Sequence, residues 1–421
     1  MPVSLDPLAW VAEQVERAEL EVTSIALADS EQWRWHEGAI VHRSGRFFRV
    51  IGHRDADGVA AQPLIDQREV GTLCGIHRPA LRPELLVQAK AEPGTVGAVQ
   101  LAPSIQATAS NADRVHGGEA PPLQQAAREG AIETLSSVVA SEQGTRFFGK
   151  RNANVLARPT RALPDSDAHR WLAVDELLDL TAVDHLVNTD LRSVLVSAPW
   201  PLLVGRTPFT RRRDELGRWL TESAQHEGDP AAVRAAVSRA AAAVVPGRTL
   251  PLDELPGWSR TDAGIAPQGG GAFAVRQIAV RVAGREVPHW DQPIVDSAGD
   301  GLVELWLRAD GPVARLGFRL AAEPGLAHGV ELTGSRVVAP GDPLPEPTPA
   351  PVLARVAQSD EGGRFYRDVS EYRLLLVEPT MGEGDPAVLW LSLGEVMTLL
   401  AEGRWFTNEA RSALALLLPW L

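Results

Sequence analysis

Four blocks of residues occur twice in this chain, in the same order, and that self-similarity limits the architecture more than any other feature. Trp33, Ile40, Gly45 and Phe47 correspond to Trp258, Ile265, Gly271 and Phe273. Gln62-Pro63-Leu64-Ile65-Asp66 corresponds to Gln292-Pro293-Ile294-Val295-Asp296, and Ala91-Glu92-Pro93-Gly94 to Ala322-Glu323-Pro324-Gly325. Ser141-Glu142-Gln143-Gly144-Thr145-Arg146-Phe147-Phe148 corresponds to Ser359-Asp360-Glu361-Gly362-Gly363-Arg364-Phe365-Tyr366. A tail follows in each copy, with Trp171, Glu176 and Leu177 against Trp390, Glu395 and Val396. The offset stays between about 218 and 231 residues, and collinear matches at a near-constant offset point to an internal duplication. A chain of 421 residues also suits two domains of about 200 residues each. The expected division is a first repeat over residues 1–205, a helical connector over 206–245 and a second repeat over 246–421. Pro199, Pro201 and Pro208 mark the joint, and the Arg211-Arg212-Arg213 run reads as the solvated start of the connector.

Within a copy the pattern is mixed. Residues 38–52 alternate apolar and polar side chains around Ser44-Gly45, which predicts a β-hairpin. Residues 84–90 and 95–101 read as strands on either side of the Glu92-Pro93-Gly94 turn. Residues 123–143 carry apolar side chains at helical spacing up to Gly144, which predicts a helix, and 172–180 predicts a short one. Strands and helices do not alternate strictly, so the expected class is α+β, with mixed sheets packed by helices. The net charge of −13 speaks against a nucleic-acid partner, which calls for a basic stripe. The single cysteine, Cys74, excludes an intramolecular disulfide and suits a reducing compartment. No signal peptide is evident and no apolar run reaches bilayer length. The expectation is a cytoplasmic protein with no membrane partner.

Three polar clusters could carry chemistry. Gln88, Lys90 and Glu92 fall on one face of their strand, because strand side chains alternate. Ser110, Asn111, Arg114 and His116 sit in a turn-rich segment that offers a cation, an imidazole and backbone donors. Lys150, Arg151 and Asn152 join two cations to an amide, which suits a diphosphate. The plain alternatives are a solvated sheet face, a surface loop and an exposed charge pair. Comparing the copies discriminates among these. Trp33/Trp258, Glu92/Glu323 and Arg146/Arg364 recur, which favours a fold role for them. Gln88 becomes Arg319, Lys90 becomes Ala321, and Lys150-Arg151-Asn152 becomes Asp368-Val369-Ser370, while the segment from Ser110 to His116 has no counterpart. A polar set kept in one copy reads as function kept on one side. Other motifs fail on spacing. Gly269-Gly270-Gly271 aligns with the Ser44-Gly45 hairpin tip and lacks phosphate-loop spacing. No His or Cys pair has zinc spacing, and there is no Gly-x-Ser-x-Gly elbow. Neither a metal site nor a cofactor is expected. Most tryptophans read as core, although Trp35 and Trp290 could stack on a base.

Residues 38–48, 62–71, 86–94, 99–108, 114–118 and 141–152 together resemble the NDP-hexose 2,3-dehydratases, enzymes of deoxysugar biosynthesis for natural-product glycosylation. The likeness spans the chain and is most specific over residues 33–160. It implies a Nudix-like fold in each copy, a homodimer, and two sugar-nucleotide pockets of which only the first is active. A Nudix hydrolase box ends in Arg-Glu-x-x-Glu-Glu-x-Gly, whose glutamates hold a metal. Residues 137–144 retain only Glu142 of these, and the second copy has Ser359-Asp360-Glu361-Gly362, so a divalent-metal diphosphatase is not expected.

The substrate implied by the resemblance is a dTDP-4-keto-6-deoxyhexose, and a downstream 3-ketoreductase is the implied partner. The C4 carbonyl acidifies the C3 hydrogen; loss of that proton and then of the C2 hydroxyl leads to a 3,4-diketo sugar without net redox. Under this resemblance His116 is the proton-transfer group, since imidazole titrates nearest neutrality. Lys90 stabilises the enolate, and Glu92 is a second acid–base candidate. His42, Arg46, Gln88, Ser110, Asn111, Arg114, Lys150, Arg151 and Asn152 form the expected substrate-binding set, with Arg46, Arg114, Lys150 and Arg151 for the diphosphate. The alternatives are a non-catalytic sugar-nucleotide binder and a Nudix-type hydrolase.

Overall fold

The computed structural model describes residues 6–107, 122–283, 287–309, 311, 313–382 and 384–421. Two seven-stranded mixed sheets carry the two halves. In the first, Ile132–Ser141, Arg151–Pro159, Val70–Arg78, Glu84–Ala91 and His169–Ala173 lie side by side, with Val99–Pro103 also on Glu84–Ala91 and Ile105–Ala107 on Val70–Arg78. In the second, Val352–Ser359, Val369–Leu376, Gly301–Arg308, Arg315–Ala321 and Val388–Leu391 repeat that order, with Glu331–Thr333 and Arg336–Val338 in the two side positions. The parallel pairings correspond as well: Arg151–Pro159 on Val70–Arg78, and Val369–Leu376 on Gly301–Arg308. The class is therefore α+β, built twice to one plan.

A smaller sheet accompanies each large one. Trp33–His36, Ala39–His42, Arg49–Arg54, Ala61–Asp66 and the two-residue strand Phe147–Phe148 make the first, and Trp258–Arg260, Gly264–Pro267, Phe273–Arg281 and His289–Ser297 the second. Their outer strands are exchanged. Glu21–Ser24 pairs with Phe273–Arg281 of the other half, and Arg248–Leu250 pairs with Arg49–Arg54. Between the halves lie two short helices, Thr189–Ser197 and Asn408–Leu414. The side chains of Asn188 and Thr407 cap them by accepting from Leu191 N (2.8 Å) and Ala410 N (3.2 Å), caps worth about 0.5–2 kcal/mol each. Thr189 Oγ1 donates to Asn408 Oδ1 (3.1 Å) and Arg411 Nε to Ser193 Oγ (2.8 Å), joining one helix to the other. One apolar core, including Leu101, Leu195, Leu332, Leu374 and Leu414, runs through both halves.

The recurring blocks hold the halves together, each contact answered by its mirror. Gly94 N donates to Gly362 O (2.7 Å), and Gly325 N to Gly144 O (2.8 Å). Trp33 Nε1 donates to Asp291 O (2.8 Å), and Trp258 Nε1 to Ala61 O (2.9 Å). The Arg146 guanidinium stacks on Phe273 at 3.9 Å, and that of Arg364 on Phe48 at 4.3 Å. Phe147 and Phe365 meet edge to face with centroids 5.6 Å apart. Gln62 Nε2 and Gln292 Nε2 brace the participating loops from their own sides, donating to Thr145 O (2.7 Å) and Gly363 O (2.6 Å).

Several expected elements differ. The helix expected over residues 123–143 is a helix only over Pro122–Arg128; Gly130, at φ 79°, turns the chain, and Ile132–Ser141 is a strand paired along Arg151–Pro159. Ile132, Thr134, Val138 and Val139 are β-branched and pack better on a pleated surface than on a helix. The strand expected from residue 95 begins at Val99, because residues 95–98 belong to the turn, where Ala98 has φ 70°. The short helix starts at Val174, after the strand His169–Ala173. In the connector region there are two helices, Glu215–Ala224 and Pro230–Ala243, and Arg211 and Arg212 are not simply solvated but both pair with Asp179. No helix among the described residues is long and apolar enough to cross a membrane.

The reciprocal latch makes a testable demand. A Cβ at Gly94 would stand 1.5 Å from Phe365 O, and one at Gly325 1.5 Å from Phe147 O. Gly94→Ala and Gly325→Ala should each destabilise beyond the ordinary range of about 0.5–3 kcal/mol for single substitutions. Thermal unfolding checks this; a melting temperature equal to that of the parent would contradict the latch.

Candidate active site

A cavity of about 720 Å³ opens where the halves meet, inside the range of roughly 300–1,000 Å³ usual for small-molecule sites. One wall is the strand Glu84–Ala91 with the turn after it, where Gln88, Lys90 and Glu92 face inward together. Lys90 Nζ and Glu92 Oε1 form an ion pair at 2.8 Å. Gln106 Nε2 donates to Glu92 Oε1 (3.3 Å), and Asn188 Nδ2 donates to Gln106 Oε1 (3.3 Å), which ties this wall to the central helix.

The floor comes from residues 150–152 and the loop before them. Lys150 and Asn152 face the cavity; Lys150 Nζ donates to Glu69 O (3.2 Å). Asn152 Nδ2 donates to Glu142 Oε1 (2.6 Å), and Asn408 Nδ2, from the other half, to Glu142 Oε2 (2.9 Å). Gly71 makes room for this: a Cβ there would lie 2.2 Å from Asn152 Oδ1. Burial, and then the charge of Glu361, push the Glu142 carboxyl up to about 7 against the pull of Arg411, Lys150 and Asn152. Burial pulls the Lys150 ammonium below its ordinary value, opposed by Glu361 and Glu142.

The second half supplies the opposite wall. Trp290, Asp291, Gln292, Glu361 and Arg364 all line the cavity, and Trp290 Nε1 donates to Gln292 Oε1 (2.9 Å). Arg364 Nη2 donates to Gln67 Oε1 (3.2 Å), while its Nε has no hydrogen-bond partner among the described residues. Two further cavity residues escaped the sequence reading. His169 Nε2 lies 3.0 Å from Ser104 O, which can only accept, so Nε2 carries the hydrogen and Nδ1 accepts from Ser166 Oγ (3.0 Å). Asp190, the second residue of the helix Thr189–Ser197, is the other. Its carboxyl is raised well above the usual carboxylate range, first by burial and then by Glu361, Glu142 and Glu92.

The expected site residues divide into three groups. Gln88, Lys90, Glu92, Lys150 and Asn152 come together in the cavity, as does His42, whose ring stands 5.3 Å from that of Trp33. Arg46 and Arg151 do not line it. Arg46 is exposed beyond the hairpin tip, and Arg151 turns to the opposite sheet face because strand side chains alternate. Ser110, Asn111, Arg114 and His116 lie outside the described residues. No local signal marked Glu361 or Arg364 as facing the first copy's site, since only the docking of the halves brings them there.

The corresponding place in the second half is occupied differently. Arg319 stands where Gln88 does, and its Nε donates to Ser335 O (2.8 Å), the carbonyl equivalent to the one His169 meets. Its Nη2 donates to Asp385 Oδ2 (2.9 Å). Val388 replaces His169, Ala321 replaces Lys90, and Val337 replaces Gln106.

Fold and site thus define a double α+β chain with one composite, charged cavity of sugar-nucleotide size. The family model for "NDP-hexose 2,3-dehydratase" matches residues 6–197 and 233–417. This chain belongs to the NDP-hexose 2,3-dehydratase family. It is similar to three proteins named dTDP-4-dehydro-6-deoxy-alpha-D-glucopyranose 2,3-dehydratase. That of Streptomyces violaceoruber is 32% identical over 433 residues, 97% of this chain and 95% of the relative. That of Amycolatopsis orientalis is 31% identical over 441 residues (97% and 89%), and that of Saccharopolyspora spinosa 30% over 435 residues (96% and 89%).

The buried carboxyls set a pH dependence. Burial raises Glu142 and Glu331 to about 7, and burial with Asp368 and Glu409 raises Asp360 to about 8. A carboxyl raised on folding stabilises the fold fully below its unfolded pKa, and that contribution is lost as pH rises through the folded value. Histidines have reference values near 6.5, and those shifted here (His53, His77, His169, His185 and His328) are all lowered, so they are largely neutral in both states above pH 7. The melting temperature should therefore fall between pH 7 and pH 9, and Asp360→Asn should flatten the decline. A melting temperature that rises over this interval would count against the assignment.

Proposed function

We propose that this chain is a lyase that converts dTDP-4-keto-6-deoxyglucose to a 3,4-diketo-2,6-dideoxy sugar nucleotide by loss of water across C2 and C3. The observation that carries the proposal is the Lys90–Glu92 pair on the wall of the composite cavity, in a chain whose relatives carry that substrate in their names. The C4 carbonyl makes the C3 hydrogen acidic. A base removes it, the electron pair delocalises onto the C4 oxygen, and the enolate then expels the C2 oxygen. The enol that results gains a proton at C2 and loses one from its C3 hydroxyl, giving the diketone. No electrons are exchanged with a second reactant, so the reaction calls for no nicotinamide.

In this reading the Lys90 ammonium stabilises the enolate oxygen, where charge develops in the transition state and a preorganised donor acts most strongly. Its pairing with Glu92 fixes its direction, and Glu92 in turn is held by Gln106. Glu92 is also the second acid–base candidate, and His116 is retained as the proton-transfer group. Gln88, Asn152 and His42 contact the substrate, with Ser110 and Asn111 in the same set. Lys150 meets the diphosphate with Arg114, and Arg364 takes the place that Arg46 and Arg151 leave open. The imidazole of His169, held by Ser104 and Ser166, adds a fixed polar ring to the cavity wall.

The wider assignment belongs to the same proposal. Two Nudix-like repeats, residues 1–205 and 246–421 about a connector, descend from a gene duplication; the identical strand order and the two-part family match support this. The second pocket is a relic, which the Arg319 contacts support. The protein acts as a cytoplasmic homodimer in the synthesis of a deoxysugar for an antibiotic, and hands its product to a 3-ketoreductase, because the diketone is unstable unless reduced.

Incubation with dTDP-4-keto-6-deoxyglucose and a partner 3-ketoreductase tests the reaction: a 2-deoxy product is expected. Release of TMP alone, or binding without conversion, would overturn the reading. Lys90→Ala and His116→Ala should each lower turnover by about 10²–10⁴-fold. Near-parental turnover in both would remove these two assignments.

A further inference from the structure

The elimination needs a proton for the departing C2 oxygen. Glu92, engaged with the Lys90 ammonium at 2.8 Å, is an acceptor and a poor source of that proton. Lys150 and Asn152 are engaged with Glu69 O and Glu142. Of the other acids lining the cavity, Asp167 is exposed, Asp291 accepts from Ser30 Oγ, Glu31 N and Gln277 Nε2, and Glu361 is half-buried; the most deeply buried is Asp190. It is 2% exposed, it lines the cavity, and its Oδ1 has no hydrogen-bond partner among the described residues.

Local structure explains how an acid comes to be held there. Asn188 caps the helix through Leu191 N, and Arg192 N donates to Asn188 O, which sets the first turn and with it the direction of the Asp190 side chain. Three carboxyl groups, Glu361, Glu142 and Glu92, surround it, and Lys90 is the opposing charge. Burial and like charge both disfavour ionisation and hold the Asp190 carboxyl well above the usual carboxylate range, which favours the protonated form. A protonated carboxyl is a donor that needs an acceptor, and the cavity is where the acceptor enters. The equivalent residue of the second half, Glu409, is half-buried with a buried Oε2 that has no hydrogen-bond partner among the described residues, but it is not among the residues lining the cavity. The helix start thus carries an acid in both halves, and only that of the first half lines the cavity.

We propose that Asp190 is the general acid that protonates the C2 hydroxyl as it leaves. The proposal rests on the 2,3-dehydratase reading above. The C3 proton passes to the base, and the enolate pair forms the C2–C3 double bond. The C2–O bond breaks with its electrons, the Asp190 proton moves to that oxygen, and water departs. The Asp190 carboxylate then regains a proton from solvent.

Enolisation and elimination can be read separately, which makes the assignment testable. The parent, Asp190→Asn and Asp190→Glu are incubated with dTDP-4-keto-6-deoxyglucose in D₂O. Deuterium at C3 of recovered sugar reports enolisation, and 2-deoxy product trapped by a 3-ketoreductase reports elimination. Asp190→Asn should still exchange deuterium into C3 and bind dTDP within about threefold of the parent, while elimination falls by about 10²–10⁴-fold. Asp190→Glu should recover part of the elimination. The proposal is overturned if Asp190→Asn eliminates at the parental rate, or if C3 exchange and elimination fall together while dTDP still binds. A parent that neither exchanges nor eliminates sinks the 2,3-dehydratase reading itself, and that outcome is seen before any variant is compared.

Discussion

The docking of each Glu-Pro-Gly turn onto the Gly-x-Arg-Phe loop of the other half is the contact on which the rest of the structure depends. Gly94 and Gly325 approach carbonyls so closely that no side chain fits, and each donates its N–H across the junction. Trp33 and Trp258 and the stacked Arg146 and Arg364 repeat the exchange at a larger radius. With the outer strands also exchanged, neither half completes its small sheet from its own residues. Burying the two halves against one another satisfies backbone groups that would otherwise need water, and it yields one continuous core.

That arrangement explains why the cavity is composite. Each loop that latches the halves also carries its neighbours into the other half's site, so Glu361 and Arg364 face Lys90, Glu142 and Lys150. Symmetry of the backbone leaves the side chains free to diverge. Where the first half keeps Gln88, Lys90, Gln106 and His169 around an open space, the second half has Arg319, Ala321, Val337 and Val388, and Arg319 spans to Ser335 and Asp385. The half-exposed Arg319 cation, held by a carbonyl and a carboxylate, occupies the place that stays open in the first half.

Some of this was legible in the sequence, and the physical reason is locality. The period of two along residues 84–92 is enough to put Gln88, Lys90 and Glu92 on one face, and comparing the copies is enough to separate Lys150 and Asn152 from the repeated frame. The strand Ile132–Ser141 was not legible, because Ile132, Leu135 and Val139 also fit a helical stripe and only the pairing with Arg151–Pro159 decides. The diphosphate assignments to Arg46 and Arg151 failed to reach the cavity for opposite reasons, one at an exposed hairpin end and one on the wrong side of a pleat. Recurrence favours a fold role for Arg364 without excluding a site role, and Arg364 has both places, since the latch and the site share a loop. Asp190 in isolation reads as an acid favoured at a helix start by the dipole; its burial comes from packing across the junction.

The central claim is that residues of the second half work in a site whose polar set belongs to the first. Glu361→Gln tests it most directly, because Glu361 is the largest charge acting on Lys150 and Asp190, and it contributes from across the junction. The measurement is kcat/KM for dTDP-4-keto-6-deoxyglucose together with the melting temperature. The composite site predicts a fall of at least about tenfold in kcat/KM with the melting temperature kept within a few degrees. A kcat/KM equal to that of the parent would contradict it.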